Sequence, residues 1–121
     1  MNMHDISIAV ITSISHGHTE TLLHLGLKPD GIPDSDAKVM YDSAISLLRE
    51  KKKVNLLALM VRSSGKLQDA EYVKSIFSLN GTGDVSPEDV VKRVRDNYLQ
   101  SEVDRLTRRA NELRGDKTKE I

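Results

Sequence analysis

The sequence predicts an all-α fold: a compact bundle of about five short helices followed by one long C-terminal helix. Three observations carry this expectation. Aromatic residues make up only 3% of the 121 residues, namely Phe77, Tyr41, Tyr72 and Tyr98. The core must therefore be aliphatic, which suits helices better than strands. Apolar residues also recur at three- and four-residue spacing, the period of one helix face. Finally, the segment that begins at Ser86 carries the strongest helix-start signals in the chain.

The elements follow in order. A first helix is expected from Met3 to Ser15, with Ile6, Val10, Ile11 and Ile14 on one face, Asp5 in its first turn and Gly17 at its end. A short second helix runs from Thr19 to Leu25 and stops at Gly26. Lys28-Pro29-Asp30-Gly31-Ile32-Pro33 is a turn-rich linker. The third helix starts at Asp34 or Ser35 and reaches Lys51 or Lys52, with an apolar stripe of Ala37, Met40, Tyr41, Ala44, Leu47 and Leu48. Asn55 is placed to cap a fourth helix carrying Leu56, Leu57, Leu59, Met60 and Val61, which Ser63-Ser64-Gly65 closes. The fifth covers Asp69 to Leu79, with Tyr72, Val73, Ile76 and Phe77 inward. Asn80-Gly81-Thr82-Gly83 reads as a loop.

Ser86 is the N-cap of the last helix, Pro87 its first residue, and Asp89 stands where a capping-box acid would. With Gly115 as its end, it has about 27 residues and a length of roughly 40 Å. Val91, Val94 and Tyr98 are placed to pack on the third and fifth helices. Leu99, Val103, Leu106, Ala110 and Leu113 then step by four, three, four and three, which is heptad spacing shifted by a stutter from the first set. A helix this long cannot hide its whole stripe against five short ones, so these five residues are the expected self-association surface. Residues 1–114 read as one helical domain, and 115–121 as a polar tail or the start of a linker.

Charge and motifs narrow the function. The 18 basic and 18 acidic residues balance, leaving no strong overall field for nucleic acid or anionic membrane. Direct nucleic-acid binding is expected to be weak or absent. Cysteine is lacking, which removes disulfide and thiol chemistry and fits a reducing cytoplasm. The N-terminus carries no basic leader pattern, and the densest apolar run, Val54 to Met60, is too short to span a membrane. A phosphate-binding loop fails at both glycine pairs: Leu67 follows Gly65-Lys66, and Ile32 follows Gly31. His16, His18 and His24 straddle the Gly17 break and read as polar residues around a turn rather than a metal site. Serine, histidine and aspartate occur in no nucleophile-elbow context. Lys51-Lys52-Lys53 suits a solvated cap at a helix C-terminus. Arg93, Arg95, Arg105, Arg108 and Arg109 alternate with Asp96, Glu102 and Asp104 as in a salt-bridged surface. No catalytic, cofactor-binding or metal-binding residue is expected, and no cofactor.

The segment Asp36 to Leu113 resembles the N-terminal, primase-interacting collar domain of DnaB-type replicative DNA helicases. The residues that carry the likeness are Lys51-Lys52-Lys53-Val54-Asn55-Leu56-Leu57-Ala58-Leu59, then Gly65-Lys66-Leu67 and Tyr72-Val73-Lys74-Ser75-Ile76. On the long helix they are Val94-Arg95-Asp96, Arg105 and Ala110-Asn111-Glu112-Leu113. Ala9-Val10-Ile11 resembles the family's opening helix. Lysines stand where the family has the glycine and proline of its interhelical link, which suits a divergent copy.

The resemblance implies a non-catalytic protein–protein interaction and oligomerisation module of a replicative helicase, with primase or a helicase loader as partner. The ATP-hydrolysing motor of such helicases would lie downstream. Two alternatives stand beside it: a stand-alone mimic or adaptor regulating replication, and, from another class, a small dimeric helical transcription regulator. The expected partners are a second copy of the chain, as homodimer or higher oligomer, and primase or loader. A cytoplasmic location without membrane attachment is expected.

Overall fold

The computed structural model describes the backbone of residues 3–78 and 86–119, and the side chains of 5–78 and 86–113. The described residues are all-helical: α1 (Met3–Ser15), α2 (Thr19–His24), α3 (Ser35–Arg49), α4 (Leu56–Arg62), α5 (Ala70–Ser78) and the long α6 (Pro87–Lys119). A single 3-10 turn, Pro29–Gly31, interrupts the link between α2 and α3. The Asn80–Gly83 loop and the Leu79 end of the fifth helix lie outside the described residues.

Local hydrogen bonding sets the ends. Asp34 caps α3 by accepting from the Ala37 N–H at 2.9 Å, and Asn55 caps α4 by accepting from Ala58 N–H at 2.8 Å. Ser86 caps α6 through the Asp89 N–H at 3.1 Å. Three helices close with the paired backbone bonds of a Schellman motif. In α1, Gly17 N–H donates to Ile14 C=O and His18 N–H to Ser13 C=O; in α2, Gly26 and Leu27 donate to Leu23 and Leu22. In α3, Lys51 and Lys52 donate to Leu48 and Leu47. The left-handed residue there is Lys51, with φ 59°, so α3 ends at Arg49, short of the expected Lys51 or Lys52. Likewise α2 ends at His24, with Leu25 as its cap.

The helix α1 is the hub, in contact with α3, α5 and α6. Neighbours on three sides bury Ser7, Thr12 and Ser13 along with Ile6, Ala9, Val10, Ile11 and Ile14. A one-faced α1 was expected; it is enclosed nearly all round. The core continues through Leu22, Leu27, Ile32, Met40, Tyr41, Leu47, Leu59 and Val73 to Val90, Val91 and Val94. In α5, Val73 and Ile76 are buried, while Tyr72 and Phe77 are half-buried against the core.

Polar contacts stitch distant segments together. Ser7 Oγ donates to the same Asp34 carboxylate that caps α3, at 2.9 Å. The buried Asp36 carboxylate accepts from the Gln68 and Asp69 N–H groups at 2.7 and 2.8 Å, fastening the start of α5 to α3. Tyr41 Oη donates to Leu27 C=O at 2.9 Å. Arg62 pairs with Glu50, tying α4 to the end of α3.

Two expectations for the last helix change. Gly115 does not end it: the backbone stays helical to Lys119. One interior glycine costs only about 1 kcal/mol relative to alanine, and a glycine stops a helix only where the chain turns left-handed to cap it. Moreover, α6 meets the body through α1, α2 and the 3-10 turn, not chiefly through α3 and α5. Val90, Val91 and Val94 are buried in that contact, but Tyr98 is half exposed.

Candidate functional site

Past Val94 the sixth helix leaves the body. From Tyr98 through Leu113 every side chain except the half-buried Glu102 is exposed. Its 33 residues span roughly 50 Å at 1.5 Å per residue, more than the bundle of short helices can cover. The five residues expected to form a surface lie together on this outer segment. Leu99, Val103, Leu106 and Leu113 are 54, 54, 56 and 60% exposed, and Ala110 is exposed among them.

At about 100° per residue, the mean direction of this stripe lies about 130° around the helix from Val90, Val91 and Val94. The apolar outer face is therefore not a continuation of the face that meets the body; it points away from it. A partner laid along it would clear the bundle. Charged side chains flank it. Arg105 pairs with Glu102 at 2.9 Å, one turn apart, and Gln100 Nε2 donates to Asp104 at 3.0 Å. Arg105, Arg108, Arg109 and Glu112 surround a shallow surface depression.

A second surface was not foreseen from the sequence. A groove of about 630 Å³ opens between α2, the 3-10 turn and α3. Leu23, Leu27, Val39 and Ile45 form its apolar part, and Lys28, Arg49 and Lys66 line it beside the carboxylate of Asp42, together with Arg62, which is paired with Glu50. Those cations come from three separate stretches, Lys28 after α2, Arg49 at the end of α3, and Arg62 with Lys66 at the end of α4, so no single run announces them. A smaller groove of about 380 Å³ adjoins it across Gly26, Leu27 and Lys28 and is walled on the far side by Val94 and Tyr98 of α6.

The remaining sequence candidates are dispersed. His16 and His18 stack edge-to-face with ring centroids 5.9 Å apart. His24 instead faces Glu20, 3.7 Å away. Among the described residues no group of three or more histidine, cysteine or acidic side chains is placed to hold a metal. Gly65 adopts φ 79° in the turn that closes α4, Gly26 precedes the 3-10 turn and Gly31 is its last residue. The three lysines after α3 are all exposed, with Lys52 3.9 Å from Glu50. No described helix is long and apolar enough to cross a membrane. No protein-family model, curated protein or solved structure matches the chain.

Proposed function

We propose that this chain is a non-catalytic protein–protein interaction and oligomerisation module whose working surface is the outer half of α6. The supporting observation is the exposed heptad stripe Leu99, Val103, Leu106, Ala110 and Leu113 on a helix that has left its own bundle. An isolated helix is marginal in water, and its stability comes from packing an apolar face. Covering such a face contributes roughly 25 cal/mol per Å² of apolar area. A second copy supplies the same face, and a symmetric pair is the commonest closed assembly.

The setting that the sequence resemblance suggests is a replicative helicase, in which the module would hold neighbouring subunits together and receive primase or a loader. That part of the proposal rests on the residue pattern between Asp36 and Leu113 alone. The working surface can be tested without it. In sedimentation equilibrium the chain should self-associate with a dissociation constant in the micromolar range, since the stripe has few layers. Leu106→Glu should give monomer with the helical circular dichroism of the bundle retained. A wild-type chain that stays monomeric at about 100 μM would remove the reading.

A further inference from the structure

We infer that two copies of α6 pair antiparallel, in a register set by Glu102 and Arg109. This rests on the self-association reading above and adds direction and register to it. The 4-3-4-3 stepping assigns Leu99, Leu106 and Leu113 to d positions and Val103 and Ala110 to a positions. In an antiparallel pair, a residues of one helix layer against d residues of the other. One register sets Val103 opposite Leu106 of the second copy and Leu99 opposite its Ala110, layering four of the five stripe residues and leaving Leu113 opposite Asp96. The large Leu99 then meets the smallest residue in the stripe, and Val103 meets Leu106 twice at the centre.

The flanking positions distinguish this register. In antiparallel pairs the g positions of the two helices face each other across the seam. Here the g positions are Glu102 and Arg109, and in this register Glu102 faces Arg109 of the second copy. Twofold symmetry repeats the pair, so two opposite-charge contacts bracket the apolar centre. The e positions, Gln100 and Thr107, face each other as an uncharged pair. The other register that layers four stripe residues, Val103 opposite Leu113 and Leu106 opposite Ala110, sets Arg109 against Arg109 of the second copy, so the charged flanks select between the two. A parallel in-register pair fails on the same counts: it stacks Ala110 on Ala110 and puts Arg105, Arg108 and Arg109 of both copies at one level. The shape agrees as well. With the stripe turned about 130° from the body-facing side, the second helix passes beside α6 without striking the bundle, and the two bundles sit at opposite ends.

Direction and register have separate readouts, because the chain has no native cysteine. A spin label on Lys92→Cys, on an exposed site of α6, should report the copies about 38 Å apart along the axis in this register, from 25 residues at 1.5 Å each. A parallel pair would bring the labels within about 20 Å, because each label then sits level with the label of the other copy. For the register, Glu102→Arg and Arg109→Glu should each weaken the dimer about tenfold in sedimentation equilibrium, and the double exchange should restore it. A stable dimer with the short label distance, or one indifferent to the single exchanges, overturns this inference and leaves the self-association reading standing. Absence of any dimer overturns both.

Discussion

Tyr41 is the clearest case of a single side chain carrying long-range structure. Its ring is fully buried on α3, and its hydroxyl donates to Leu27 C=O in the segment after α2. Burial pushes the phenol from its ordinary 10 up to about 12. The folded state therefore binds this proton more tightly than the unfolded one. The stabilisation is complete below pH 10 and is lost as pH rises towards about 12. Tyr41→Phe should cost about 1 kcal/mol at neutral pH, the typical net value of one hydrogen bond. It should also flatten the alkaline fall of stability between pH 10 and about 12, measured by urea unfolding across that range. An unchanged alkaline limb would mean that the phenol is not what titrates. Asp36 works in a similar way with two partners: its carboxylate reaches the Gln68 and Asp69 N–H groups, far off in sequence. Neither contact is visible as a motif, because each joins residues whose nearness exists only in the folded chain.

At the scale of elements, the caps were legible and the buried faces only partly so. Asn55 and Ser86 cap where the sequence places them, and Asp34 caps α3 at its expected start, because a cap is a bond between residues three apart and needs no tertiary partner. The fourth helix shows the limit. Leu56, Leu57, Leu59, Met60 and Val61 are equally apolar on paper, yet only Leu59 is fully buried; Leu57 and Val61 are exposed. A helix of seven residues has too few turns for its period to define one face. Leu59→Ala should therefore cost about 2–4 kcal/mol, whereas Leu57→Ala should change stability by less than about 0.5 kcal/mol. Chemical denaturation of the two variants checks the contrast, and similar losses would mean that Leu57 is covered in solution.

The molecule as a whole is a bundle around α1 with a long lever on one side. Val90, Val91 and Val94 root the lever, and its outer stripe has nothing of its own chain to cover it among the described residues. If the stripe is satisfied by a second copy, folding and association are coupled by mass action. The melting temperature of the wild-type chain should then rise with protein concentration across the micromolar range, and that of Leu106→Glu should not. Calorimetry at several concentrations reads this directly, and concentration-independent melting of both proteins would count against pairing. The basic groove between α2 and α3 belongs to this scale too, since Lys28, Arg49 and the Arg62–Lys66 end of α4 converge only when three stretches of chain pack.

The sequence by itself determined the helical class, the starts of α3, α4 and α6, and the exposed heptad stripe. Each of these follows from interactions within a few residues, or from an apolar supply too long for the body to cover. Tertiary structure alone decided that α1 would be enclosed nearly all round, that Tyr98 would stay half exposed, and that four scattered cations would share one groove. The physical division is one of range. Caps and helix period are local hydrogen bonding and geometry, whereas burial depends on which elements close on one another, set by packing over the whole chain.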